Sequence, residues 1–129
     1  MPAYDAIRFT PPAPMALVTL RNGTTAAIVS DVPMLLDSGA DVTLVPRQSV
    51  IQLNGEIDQT LSFELAGFDG QKSSSPAVTL DLIVLQKTFR GQFLLIDQER
   101  GILGRNILNH LSLFFDGPNL KWSEQRAGS

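Results

Sequence analysis

A short aliphatic strand that runs directly into a carboxylate and a tight turn constrains this chain more than any other feature. Residues 34–39 have the sequence MLLDSG, which occurs once in the chain. The aliphatic residues predict a buried strand, and the serine and glycine let the backbone fold tightly beneath the carboxylate of Asp37. This arrangement places an acid at the floor of a cleft. The alternative is an ordinary surface turn or helix cap, where Asp-Ser-Gly also occurs.

A second segment favours the cleft over the surface turn. Residues 102–108 have the sequence ILGRNIL. The glycine at position 104 permits close approach of two backbones, and the adjacent Arg105 is able to hold a carboxylate through a bidentate pair. Apolar residues at positions 107, 108 and 111 predict a short helix after the glycine, with His110 on its solvent side.

These two segments, in this order and spacing, resemble the two motifs of the retropepsin branch of the aspartic proteases. The resemblance spans roughly residues 16–115. It implies a mainly β chain with a retropepsin-like closed β-barrel, the acid-protease fold, and one short C-terminal helix. Retropepsins supply one catalytic Asp per chain and work as homodimers, so the resemblance also implies a second copy of this chain as a partner.

The resemblance assigns the catalytic loop to Asp37, Ser38 and Gly39. Asp37 carries the chemistry, the Ser38 hydroxyl links the two loops across the dimer, and Gly39 permits their close approach. It further assigns substrate contacts to Ala40, which would line the nearest pocket wall, and to Asp41, which would accept a backbone N–H of the substrate or serve only as the partner of Arg105.

Behind the loop, the resemblance implies structural support from Gly104, Arg105 and Asn106. In the family the arginine pairs with the Asp four residues after the catalytic one, which here is Asp41. We therefore expect the Arg105 guanidinium to hold a partly buried Asp41 carboxylate in the same chain.

Residues 63–76 lie between the two motifs, in the position of the retropepsin flap. A flap closes over bound peptide, and its tip needs glycine for tight turning and for backbone contact with substrate. The resemblance thus implies further substrate contacts from Gly67, Phe68, Asp69 and Gly70. The alternative is an ordinary mobile surface hairpin.

The implied function is a homodimeric aspartic endopeptidase that acts on a peptide or protein substrate. A water activated between two Asp37 carboxylates would hydrolyse the peptide bond, with no metal and no cofactor. The alternative is a non-proteolytic retropepsin-like module for dimerisation or peptide binding, because function belongs to the site and not to the fold. A serine hydrolase using His110 is excluded because the chain has no Gly-x-Ser-x-Gly segment.

Composition excludes several other classes of protein. With 129 residues the chain is long enough for one domain, for which we expect an N-terminal arm at 1–14, a protease domain at 15–122 and a tail at 123–129. There are no cysteines and one histidine, which argues against a zinc site. A net charge of −3 without a basic stripe argues against a nucleic-acid partner. No apolar run approaches the ~20 residues of a membrane span. We expect a cytoplasmic protein, because the N-terminus lacks a signal peptide's pattern.

Short strands separated by turn residues dominate the rest of the chain. Asn22-Gly23 predicts a two-residue hairpin turn, and Gln86-Lys87 predicts a second turn between two long neighbouring strands. The expected strands are 15–21, 24–29, 33–37, 43–45, 78–85, 88–96 and 113–115, with a helical turn within 46–53.

Overall fold

The computed structural model describes residues 3–54 and 76–125 in full, and the backbone of three short strands between them. Two short helices are present, α1 (Arg47–Gln52) and α2 (Arg105–Leu108). The strands are β1 (Tyr4–Asp5), β2 (Ala13–Arg21), β3 (Ile28–Leu36), β4 (Leu44–Pro46), β5 (Ile57–Asp58), β6 (Leu65–Ala66), β7 (Lys72–Ser73), β8 (Ala77–Val84), β9 (Lys87–Ile96), β10 (Gly101–Leu103), β11 (Leu113–Asp116) and β12 (Lys121–Glu124).

Six strands close into a barrel. Their order is β2-β3-β10-β4-β9-β8, and β8 pairs back onto β2. The β3–β10 and β4–β9 pairs are parallel, and the other neighbours are antiparallel. The predicted fold class, a mainly β closed barrel with a short C-terminal helix, is confirmed.

The barrel interior is filled by aliphatic side chains that alternate along the strands. In β8, Leu80 and Leu82 point inward, whereas Thr79 between two inward positions is exposed. A strand turns successive side chains to opposite faces, so this alternation follows from the period of two. The largest fully buried apolar side chains are Trp122, Leu20, Met34, Leu53, Leu82 and Leu103.

The predicted Asn22-Gly23 two-residue turn is wrong. The loop runs over residues 22–27, and the residue with positive φ is Ala26, at 63°. The Asn22 side-chain oxygen accepts hydrogen bonds from the backbone N–H groups of Thr24 and Thr25, at 2.9 and 3.2 Å. Asparagine commonly organises a loop from its first position in this way. It therefore starts the loop instead of occupying its centre.

The end of the strand expected at 24–29 and most of the strand expected at 33–37 belong to one continuous strand, β3. A register shift of one residue between Val18 and Leu20 of the neighbouring strand marks a β-bulge. Asp31 lies within the bulge with φ of 58°. A bulge accommodates one extra residue without ending the pairing.

The second predicted turn lies one residue earlier than expected. Leu85 and Gln86, with φ of 51° and 65°, connect β8 to β9. Positive φ at both central residues is typical of a type I′ turn, which matches the twist of the strands.

Both chain ends contain more strand than expected. Tyr4–Asp5 pairs with β2 inside the segment predicted as an arm. Beyond the predicted strand at 113–115, β12 forms a hairpin with β11. Trp122 of β12 is buried, and its indole N–H donates to the Met15 carbonyl at 2.8 Å. The division into arm, domain and tail stays a prediction.

One buried charge was not foreseen from the sequence. Asp81 of β8 is 1% exposed and lies in cross-strand register between Arg21 of β2 and Arg90 of β9. Its carboxylate accepts hydrogen bonds from the Nε atoms of both arginines, at 3.0 and 2.8 Å. The Arg90 hydrogen bond, assisted by Arg21, lowers the pKa of Asp81 despite its burial. The group of Asp81, Arg21 and Arg90 therefore joins three strands of the barrel through one ionised carboxylate.

Candidate active site

Asp37 is the first residue after β3, and the loop that it begins is folded around its own side chain. The Asp37 carboxylate is half-buried, and its Oδ1 accepts a hydrogen bond from the Gly39 N–H at 3.0 Å. The Asp37 carbonyl accepts from the Ala40 N–H at 3.2 Å, and the Asp37 N–H donates to the Leu103 carbonyl at 3.1 Å. These bonds fix the direction in which the carboxylate leaves the strand.

Strand β10 lies between the two strands that flank this loop, β3 and β4. It pairs in parallel with β3, through Leu103 opposite Leu36, and antiparallel with β4, through Ile102 opposite Leu44. Immediately after β10, a Cβ at Gly104 would lie 2.3 Å from the Val42 carbonyl oxygen. Only glycine fits this contact without movement of the backbone.

Arg105 connects α2 to three residues of the loop. Its backbone N–H donates to the Ala40 carbonyl at 2.8 Å, and its guanidinium donates to the Ser38 carbonyl at 2.6 Å. A second guanidinium nitrogen forms an ion pair with Asp41. The expected ion pair between Arg105 and Asp41 is present, but its expected bidentate geometry and partial burial are wrong. The Asp41 side chain is 77% exposed, and the guanidinium divides its donors between Ser38 and Asp41. Arg105 thus binds the backbone of the loop as well as the Asp41 carboxylate.

Thr43 is a site residue that the sequence did not reveal. It is 1% exposed, and its hydroxyl oxygen accepts a hydrogen bond from the Gly104 N–H at 3.1 Å. The hydroxyl in turn donates to Oδ1 of Asn106 at 2.7 Å. In the sequence Thr43 belongs to a strand-forming run, and nothing local indicates that Asn106 lies beside it.

The fold is similar to that of solved aspartic protease structures. No family model and no curated protein matches the sequence. The chain is similar in structure to EIAV protease complexed with an inhibitor, with a TM-score of 0.55 and 19% identity over 76% of this chain and 86% of that one. It is also similar to a retropepsin-like aspartic protease from Rickettsia conorii, with a TM-score of 0.58 and 16% identity over 89% of this chain and 82% of that one.

The chain has the retropepsin-like fold. Both similar structures cover most of its length. The fold that the two sequence motifs predicted is therefore confirmed, and Asp37 is the acid of the Asp-Ser-Gly motif within it. The catalytic and substrate-binding roles of individual residues stay predictions.

The structure describes only part of the segment predicted as a flap, residues 63–76. Within the predicted flap, β6 and β7 form an antiparallel pair, with Leu65 opposite Ser73 and Ala66 opposite Lys72. The predicted tip, residues 67–70, lies outside the described residues. Its proposed substrate contacts therefore stay predictions.

Residues 3–54 and 76–125 contain no group of three His, Asp or Glu side chains placed to hold a metal ion. His110 is exposed, as predicted, with its ring centroid 5.9 Å from that of Phe89. No helix in these ranges is long and apolar enough to cross a membrane.

Proposed function

We propose that this chain is a homodimeric aspartic endopeptidase whose two Asp37 carboxylates, one from each copy, activate a water for peptide hydrolysis. The observation that carries the proposal is the Asp37 loop. A half-buried carboxylate projects from the end of β3, and its loop is hydrogen-bonded to β10 and α2 within a retropepsin-like fold. One chain supplies a single such acid, so a twofold axis has to bring the second.

The chemistry follows from placing two carboxylates within hydrogen-bonding distance. Like charges this close do not both ionise, so the pair holds one proton over a range of pH; aspartic proteases are the standard example of this behaviour. The ionised carboxylate takes a proton from the bound water, which attacks the scissile carbonyl. The protonated carboxylate donates to the developing oxyanion, and the leaving amine is then protonated.

Substrate recognition would use the backbone of an extended peptide. Such a peptide is held as an added strand, with main-chain hydrogen bonds for affinity and pockets for alternate side chains. Asp41 remains largely exposed although it pairs with Arg105, so it is accessible to a substrate N–H. The Ala40 N–H donates to the Asp37 backbone carbonyl, and Ala40 would line the nearest pocket. Ser38 would donate its hydroxyl to the partner's loop, and the flap tip would cover the bound peptide.

The test is cleavage of a peptide library by the Asp37→Asn variant. An amide neither holds nor transfers the shared proton, so we expect cleavage to fall by at least ~10²-fold, with the fold and dimer retained. Asp31→Asn is the matched control, because Asp31 lies on the strand that leads to Asp37, is exposed, and has a positive φ that asparagine tolerates.

The Asp31→Asn control should cleave as the unaltered chain does. Residual cleavage above a few per cent in a clean Asp37→Asn preparation would contradict the proposal. Peptide binding without cleavage by the unaltered chain would instead support the non-proteolytic module.

A further inference from the structure

We propose that Thr43 is a positioning residue for the Asp37 carboxylate, acting through the peptide bond between Leu103 and Gly104. This inference rests on the proposed function, because it concerns the geometry of the same carboxylate. Thr43 lies at the opposite end of the loop from Asp37. It would not itself contact the substrate.

A single peptide unit joins the two ends of the catalytic loop. Its carbonyl, from Leu103, accepts a hydrogen bond from the Asp37 N–H at 3.1 Å. Its N–H, from Gly104, donates to the Thr43 hydroxyl at 3.1 Å. A peptide unit is planar, so its C=O and N–H do not reorient independently. A rotation that loses the bond to Thr43 therefore also moves the carbonyl that holds Asp37.

The direction of the Thr43 hydroxyl is fixed by its second partner. A hydroxyl has one proton to donate and lone pairs with which to accept. The Gly104 N–H is already a donor, so Thr43 accepts there and gives its proton to Asn106 Oδ1 at 2.7 Å. Hydrogen bonds in such a chain polarise one another. Asn106 thus keeps a lone pair of Thr43 directed at the peptide.

Packing alone does not account for a threonine at this position. Thr43 is 1% exposed, and its neighbours in the sequence, Val42, Leu44 and Val45, are all apolar. Valine has nearly the same shape and would fill the same space, but it offers no acceptor to the buried Gly104 N–H. The hydroxyl is therefore the feature that the site uses.

The test compares Thr43→Val with Thr43→Ser, which restores the hydroxyl. Rates are measured well below the melting temperature and expressed per active site, as titrated with a tight-binding peptide isostere. A small misplacement of a catalytic group costs up to ~10²-fold in rate, so we expect kcat of Thr43→Val to fall by roughly 10-fold or more. KM should change by less than about twofold, and Thr43→Ser should recover most of kcat.

A pH profile separates positioning from stability. If the two Asp37 carboxylates move apart, their repulsion and their shared hydrogen bond weaken, so the pair holds a single proton over a narrower range of pH. The bell-shaped profile of Thr43→Val should then be narrower than that of the unaltered chain, and Thr43→Ser should have the original width. Unchanged kcat per titrated site with an unchanged profile would overturn the inference and leave Thr43 a structural residue.

A second variant decides the matter if Thr43→Val does not fold. Asn106→Leu keeps the bond between Gly104 and Thr43 but removes the acceptor that directs the hydroxyl. We expect Asn106→Leu to lower kcat by roughly threefold, whereas Asn109→Leu, at the residue just after the same helix, leaves kcat unchanged. Equal rates for these two variants would overturn the inference. If instead the unaltered chain has no cleavage activity that depends on Asp37, the proposed function itself fails.

Discussion

Replacing Gly104 with alanine tests whether the catalytic loop depends on close backbone contact beneath it. A Cβ at this position lies 2.3 Å from the Val42 carbonyl oxygen and 2.5 Å from its carbonyl carbon. Both are backbone atoms, so rotation of a side chain does not relieve the overlap. Gly104 has an extended conformation, with φ of −89° and ψ of −176°, which any residue adopts. The cost of Gly104→Ala therefore comes from the contact and not from strained dihedral angles.

The size of the effect follows from that contact. Overpacking typically costs about 1–3 kcal/mol of unfolding free energy, and a clash with backbone belongs at the upper end, about 3 kcal/mol. For a chain of this length the loss corresponds to a melting temperature roughly 10 °C lower. Separating the atoms to 3.0 Å moves one backbone by about 0.7 Å. Displacements of this order reduce catalysis strongly, so kcat/KM should fall at least ~10-fold.

Thermal unfolding at one fixed protein concentration measures the effect, because dimerisation makes the melting temperature depend on concentration. Gly117→Ala is the matched control, since nothing lies within 4 Å of the added Cβ and Gly117 does not have positive φ. Its unfolding free energy should change by less than about 0.5–1 kcal/mol. If Gly104→Ala has the same melting temperature as Gly117→Ala and keeps its activity, the reasoning about close backbone contact is refuted.

Two further predictions concern the charged groups. Arg105→Ala should lower the free energy of unfolding by about 1–2 kcal/mol, mostly through the lost bond to the loop backbone, because the exposed ion pair with Asp41 contributes little. Arg105→Lys should recover only part of this stability. An equal melting temperature for Arg105→Ala and the unaltered chain would contradict the prediction. Because the pKa of Asp81 is lowered in the folded chain, its ion pairs stabilise the fold above the unfolded pKa of about 3.9 and lose that contribution as pH falls through the lower folded pKa. In urea unfolding, the difference in unfolding free energy between the unaltered chain and Asp81→Asn should be roughly 2 kcal/mol and constant from pH 7 to 5. It should shrink below about pH 4. A difference that does not depend on pH down to 2 would contradict the link between the Asp81 pKa and stability.

The features predicted from the sequence are those encoded within a few residues. An aliphatic run before Asp-Ser-Gly specifies both the strand β3 and the turn after it, since burial and backbone freedom act locally. The glycine at position 104 was likewise recognised, because a glycine between an aliphatic strand and an arginine indicates a close approach. The expected pairing of Arg105 with Asp41 came from the resemblance, and the structure contains that ion pair.

The features that the sequence did not reveal depend on the register of distant strands. Thr43 precedes β4 and Asn106 follows β10, and the antiparallel pairing of β4 with β10 brings them together, a relation that no local pattern encodes. Asp81 interrupts an apolar strand, and its burial makes sense only once arginines from two neighbouring strands lie opposite it. The loop after Arg21 is longer than the sequence predicts, for a related reason. The Asn22 side chain bonds forward within the loop and donates to the Leu53 carbonyl at 3.1 Å, so tertiary contact selects a longer turn.

The most direct measurement of the central claim is a titration of cleavage activity with a peptide isostere that carries a hydroxyl in place of the scissile carbonyl. Such an isostere imitates the hydrated transition state and binds between the two acids, so it should bind far more tightly than a substrate of the same sequence. Two copies of Asp37 build one site. We therefore expect activity to reach zero at one isostere for every two chains, and sedimentation to show a dimer at the same concentration. An end point of one isostere per chain in a protein that sediments as an active monomer would contradict the two-chain site.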